Sequence, residues 1–175
     1  MSWRDWFTFQ KPRVELTSTT VERIPRAQPA PATKVGDSGP ELFVPRTPRG
    51  IRNHNPGNLR RGTPWVGLSP TQTDPDFWQF TAPVWGLRAL ARLLLNYEAW
   101  YGLNTVRKII ARYAPESENN TDAYAQAVAS ALGVGPDDLI HVRERLPELV
   151  PAIVKHENGM QPYSAELIAE AIAKV

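Results

Sequence analysis

The stretch Pro83-Val-Trp-Gly-Leu-Arg-Ala-Leu-Ala-Arg-Leu-Leu-Leu-Asn-Tyr-Glu-Ala-Trp-Tyr-Gly102 decides the fold class. Leu87, Leu90, Ala91, Leu94 and Leu95 recur at the i, i+3, i+4, i+7, i+8 spacing of an amphipathic helix. The helix is expected to end near Trp100, with Gly102 as its stop. Shorter pieces of the same period follow. Thr105 can cap a helix through Val106, Ile109, Ile110 and Tyr113 that Pro115 ends. Thr121, with Asp122 in the first turn, opens one through Tyr124, Ala125, Val128 and Leu132, closed by Gly133. Pro136 is placed to start a fourth helix around Leu139, Ile140 and Val142. Pro147 is placed to start a fifth through Leu149, Val150, Ile153 and Val154, which Asn158-Gly159 terminates. Ser164 caps a last helix running to the C-terminus.

Upstream of Pro83 the pattern is different. From Arg49 to Phe80 turn formers dominate: Asn55-Pro56-Gly57-Asn58, Arg61-Gly62-Thr63-Pro64 and Asp74-Pro75-Asp76. The pieces between them, Trp65-Val-Gly-Leu68 and Phe77-Trp-Gln-Phe80, are long enough only for a small hairpin or irregular loops. Seven of the 17 prolines lie in the first 52 residues, where no helical or strand period is visible. Residues 1–48 therefore read as an extended proline-rich arm, and residues 49–175 as a mainly α domain with an irregular N-terminal lobe. The cluster Trp3, Trp6, Phe7 and Phe9 at the tip of the arm reads either as an anchor for a partner or as a frayed terminus.

Composition bounds what the chain can do. Its 175 residues are 42% hydrophobic with six tryptophans, enough for one core of ordinary size but not for two full domains. The absence of cysteine excludes disulfides, thiolate zinc sites and a cysteine nucleophile. His54, His141 and His156 are too scattered to suggest a metal cluster, so no metal or organic cofactor is expected. No apolar run is long enough to span a membrane, and the first residues lack the pattern of a secretory signal. The net charge of +2 hides a division: nine Lys/Arg against five Asp/Glu up to Arg52, seven against three over 53–113, and four against ten over 114–175. A basic front can meet a polyanion, yet the acidic helical half argues against nucleic acid, and none is expected as a partner.

Three places can carry chemistry. Asn53, Asn55 and Asn58 surround a Pro-Gly turn, with Trp65 close behind. Amides paired with a flat apolar ring suit a sugar, whose hydroxyls need hydrogen bonds while its C–H face stacks. The same amides can instead only satisfy the local backbone. Glu157 lies on the last turn of an apolar helix, where the helix dipole disfavours negative charge. That setting suits a general acid for glycosidic cleavage and is equally that of a solvated helix-end carboxylate. Glu116 and Glu118 precede a helix N-terminus, where Glu118 can reach substrate or both can merely complement the dipole. His54 and His156 have no triad partner at a diagnostic spacing.

The ordered set Arg49-Gly-Ile-Arg-Asn-His-Asn-Pro-Gly-Asn-Leu59, Phe80-x5-Gly86-Leu-Arg-Ala-Leu, Tyr97 with Gly102-Leu-Asn-Thr-Val and Ile109-Ile110, Tyr113-Ala-Pro-x-Ser-Glu-Asn-Asn-Thr-x-Ala-Tyr124 and His156-Glu-Asn-Gly-x-Gln-Pro-Tyr163 resembles a family of bacteriophage and prophage structural proteins. The resemblance covers residues 49–175. It implies a virion protein with a lysozyme-like α+β domain that degrades peptidoglycan. Residues 1–48 lie outside the resemblance, and the proline-rich arm with its aromatic tip is expected to be the segment that binds other virion proteins. The Asn-Pro-Gly-Asn loop with Trp65-x-Gly67 is also similar to the segment after the catalytic glutamate of autolysin-type glucosaminidases. In lysozyme-like enzymes that glutamate ends a helix before such a loop. The residue available here, Glu41, lies in the arm. A permuted order repairs the mismatch: Glu157 supplies the acid from the far end of the chain, and Glu118 is the second carboxylate. Asn53, Asn55, Asn58, Trp65, Asn158 and Tyr163 then hold the glycan. His54 stands where the family more usually has asparagine. The rival expectation is a virion structural protein that keeps the fold without the chemistry and binds capsid, tail or internal membrane components.

Overall fold

Apolar residues at helical period over 87–97 build the longest helix among the described residues. The computed structural model describes residues 47–114 and 120–175, so the arm and Glu118 lie outside the described residues. The helices are α1 (Arg49–Arg52), α2 (Pro83–Tyr101), α3 (Val106–Tyr113), α4 (Thr121–Leu132), α5 (Val142–Asn158) and α6 (Ala165–Ala173). Leu87, Leu90 and Leu94 of α2 are fully buried; α5 and α6 pack on this helix, while α4 packs on both α3 and α5. Each such leucine removed from water is worth about 1.5–3 kcal/mol.

The helix ends follow local chemistry. Gly102, Gly133 and Gly159 take the left-handed conformation that closes α2, α4 and α5. Thr105 and Ser164 cap α3 and α6 by accepting from Lys108 N and Leu167 N. For α4 the cap is one residue earlier than expected. Asn120 accepts from Ala123 N, and the Thr121 hydroxyl donates instead to Ala114 O at 2.9 Å. That bond ties the start of α4 to the end of α3.

The expected fourth and fifth helices are corrected to a turn and one continuous helix. Around Pro136 the chain turns, with Gly135 N donating to the Asp138 carboxylate at 2.6 Å and Ile140 N donating to Asn104 O at 2.8 Å. Helix α5 then runs straight through Pro147 and Pro151. An interior proline costs about 3 kcal/mol, but the stripe Val142, Leu146, Leu149, Val150, Ile153 and Val154 stays in phase across both prolines and is completely buried. Burial of six side chains outweighs the two missing donors.

The lobe before α2 is irregular. Its strand-like pairing is limited, among the described residues, to isolated antiparallel bridges Arg60–Phe77 and Leu68–Phe80. Polar cross-links hold it. The Asp74 carboxylate accepts from Arg49 Nε at 2.7 Å and Nη2 at 2.5 Å, from Asn53 Nδ2 at 2.7 Å, and from the amides of Asp76 and Phe77. The Arg49 guanidinium holds this nearly buried carboxyl well below the usual range. The lobe seats on α2 at Gly86, where a Cβ would lie 1.9 Å from His54 O and 2.9 Å from the Pro56 ring. Only a glycine lets the 53–58 loop come this close.

Candidate functional site

The loop that Gly86 admits is stretched between three helices. Gly57 O accepts from the Tyr113 hydroxyl at the end of α3. Pro56 O accepts from Asn158 Nδ2 at 2.8 Å, across 102 residues of sequence, and Val154 O accepts from the same amide. The last turn of α5 is thereby fastened to the loop. Asn58 adopts φ 47°, a left-handed conformation that asparagine tolerates better than most residues. In that position its Nδ2 donates to Glu157 Oε2 at 3.0 Å.

The other Glu157 oxygen is also engaged. Oε1 accepts from the Tyr124 hydroxyl of α4 at 2.9 Å. Among the described residues, Asn58 and Tyr124 are the donors to this half-buried carboxylate. Burial first, then the negative charge of Glu157, raises both Tyr113 and Tyr124 far above the ordinary phenol range. Both phenols therefore stay protonated and act as donors. His156, the residue before the acid, lies flat on the Tyr124 ring with centroids 3.5 Å apart and planes 10° apart.

The expected substrate-binding residues divide into two groups. Asn58 and Asn158 come together at the end of α5 with Glu157, with Asn58 touching the acid and Asn158 fastening its helix. Asn53 and Asn55 do not. Asn53 gives its Nδ2 to Asp74, and its Oδ1 accepts from Gln79 at 3.3 Å. Asn55 is fully buried; its Nδ2 donates to Leu59 O and Trp78 O, and its Oδ1 accepts from Leu59 N. Both side chains build the loop instead of facing outward. Trp65 and Tyr163 are half-buried against the core. Burial pushes the Tyr163 phenol up to about 12. His54 sits at φ 50° with Nδ1 3.3 Å from Phe80 O, an anchoring position in the lobe.

Helical periodicity places Tyr113 and Tyr124 on core faces and does not assign them to the site. The signal was their chemistry. A buried tyrosine differs from leucine or phenylalanine in carrying a hydroxyl that must find an acceptor. Gly50 belongs to the site as well, with no local pattern to mark it. A Cβ there would lie 2.5 Å from Asn158 Oδ1, 2.7 Å from Asn58 Oδ1 and 2.9 Å from Asn55 O.

Fold and site define a mainly helical protein in which one glutamate, at a helix end, is gripped by an asparagine loop and a tyrosine. No family model matches the chain. It is 40% identical over 124 residues, covering 69% of this chain and 77% of the relative, to Protein P5 of Pseudoalteromonas phage PM2. The chain belongs to the family of that phage protein. A bacteriophage relative agrees with the phage family to which the motifs pointed and with the virion location expected from them.

Proposed function

We propose that the protein is a virion-associated enzyme that cleaves the β-1,4 glycan bonds of peptidoglycan, with Glu157 as the acid. The observation that supports this most is the meeting of Glu157 with Asn58 across 99 residues of sequence. A helix-end glutamate beside an Asn-Pro-Gly-Asn loop is the arrangement the permuted order requires. Relationship to a phage protein supports the virion setting, and residues 1–48 are proposed to bind other virion components.

In this reading Glu157 gives its proton to the glycosidic oxygen as the C1–O bond breaks and the electron pair leaves with that oxygen. The oxocarbenium-like centre is stabilised by Glu118 or by the N-acetyl group of the substrate. Addition of water, or of a hydroxyl of the same sugar, completes the reaction and returns a proton to Glu157. Asn58, Trp65 and Tyr163 are the proposed glycan contacts, while Asn158, whose amide is given to Pro56 O and Val154 O, holds the helix end against the loop. With their amides spent internally, Asn53 and Asn55 shape the loop.

Purified protein should clear a peptidoglycan suspension and release soluble fragments. Glu157→Gln should lower the rate by at least about 100-fold, the usual contribution of general acid catalysis, while circular dichroism stays that of the wild type. Full activity in the variant removes Glu157 from the mechanism.

One observation favours a second reading. Both Glu157 oxygens already have donors and Asn158 ties helix to loop, so the cluster can serve as a structural clasp in a non-catalytic virion protein. Retention on insoluble peptidoglycan without release of fragments, together with a lowered melting temperature for Glu157→Gln, would favour it.

A further inference from the structure

We infer that Tyr124 is a positioning residue for Glu157, with its hydroxyl setting the direction of the carboxylate and the His156 ring holding the tyrosine in place. The role rests on the glycan-cleavage reading for its consequence and on the geometry for its existence. Consecutive residues of α5 grip the same side chain of α4. His156 covers the face of the Tyr124 ring at 3.5 Å and 10°, and Glu157 Oε1 accepts a hydrogen bond from its hydroxyl at 2.9 Å.

This arrangement removes freedom that a helix-end glutamate ordinarily has. A glutamate side chain has three torsions, and on a last helical turn nothing in the helix itself fixes them. Asn58 from the loop and Tyr124 from α4 each supply one donor, and they bind different oxygens. Two donors from separate elements fix both the position and the plane of the carboxyl group. Tyr124 can do this because it is itself immobile: its side chain is 1% exposed, and the imidazole closes its outer face. A reacting group held in this way loses little entropy on reaching the transition state. The tyrosine contributes through Glu157 and not by touching the glycan.

Tyr124→Phe keeps the ring, its burial and the stack, and removes one oxygen. Fragment release from purified peptidoglycan should fall on the order of 10–100-fold in kcat with KM within about twofold, as expected when a reacting group drifts without loss of substrate contacts. His156→Ala should lower kcat by a smaller factor. His156→Phe, which restores a flat ring without a charge, should recover it, whereas His156→Lys should not. A merely structural role would follow melting temperature across these variants instead of ring shape.

A second measurement does not need activity. In protein carrying 13C at the glutamate carboxyls, the Glu157 resonance is the one missing from Glu157→Gln. It should move in Tyr124→Phe and keep its wild-type position in His156→Phe. An unmoved resonance in Tyr124→Phe, or an unchanged kcat beside an active wild type, would overturn the positioning role. If wild-type protein and Glu157→Gln are equally inert, the glycan-cleavage reading fails, and the kinetic role fails with it. The resonance then still decides whether the hydroxyl holds the carboxylate.

Discussion

Gly50 illustrates how much of the site depends on atoms that are missing. Its neighbours are oxygens of Asn55, Asn58 and Asn158, and all three would lie under 3 Å from a methyl group. One of them, Asn55 O, is backbone and accepts from Asn58 N, so it cannot swing away. Asn158 Oδ1 is already buried without a hydrogen-bond partner. Gly50→Ala is therefore expected to cost about 1–3 kcal/mol, the range for overpacking a filled site. It should also displace Asn58 from Glu157. Thermal denaturation checks the first effect, and loss of fragment release beyond the change in folded fraction checks the second. At this scale the sequence was legible in residue type and illegible in direction. Three asparagines around a Pro-Gly turn look alike on paper, but Asn53 and Asn55 turn inward to Asp74, Leu59 and Trp78 while only Asn58 reaches the acid. Which way an amide points depends on partners up to 99 residues away, and no local pattern encodes them.

Among the elements, legibility followed whether a local rule had a competitor. Helices α2 and α3 lie where periodicity, caps and glycines place them, and α6 starts at its Ser164 cap but ends at Ala173, short of the C-terminus to which it is expected to run. Helix α5 is different. The rule that proline starts a helix splits it at Pro147, whereas burial of one continuous apolar face keeps it whole. For α4 two adjacent residues could both cap, and the tie was settled from outside the helix, since Ala114 O claims the Thr121 hydroxyl. The two residues consequently carry separable functions. Asn120→Ala should lower stability by about 1 kcal/mol through loss of the cap. Thr121→Val leaves the cap intact and removes the tie to α3. Its cost, also about 1 kcal/mol, reflects a lost side-chain hydrogen bond. Denaturant unfolding of the two single variants and the double variant should give nearly additive losses, and a silent Asn120→Ala would return the cap to Thr121.

Across the described part of the molecule, two kinds of cohesion meet at the site. Apolar burial holds the helices. Hydrogen bonds hold the lobe, and those to the Asp74 carboxylate are charge-assisted and depend on pH. The folded-state pKa of Asp74 is depressed below its ordinary value of 3.8, chiefly by the hydrogen bonds from Arg49. A depressed carboxylate contributes its full stabilisation above the ordinary value, and loses it progressively as pH falls below that value. Acid should therefore loosen the lobe before it unfolds the helices, whose core has no such dependence. Amide hydrogen exchange at Asp76 and Phe77, both of which donate to Asp74, is the local probe, and ellipticity at 222 nm follows the helices. As pH falls from about 4 to about 2 the two amides should lose protection, after correction for intrinsic rates, while ellipticity is still near its neutral value. Asp74→Asn should bring the loss forward to neutral pH and remove its pH dependence, since the remaining amide cannot be titrated. Coincident loss of both signals, unaltered by that substitution, would mean that lobe and helices unfold as one unit and that Asp74 is not what joins them. Because Asn53 shares this carboxylate and leads directly into the 54–58 loop, early loosening should also release Asn58 from Glu157. Fragment release should then fall on the acid side together with exchange at Phe77, ahead of any change in helix content.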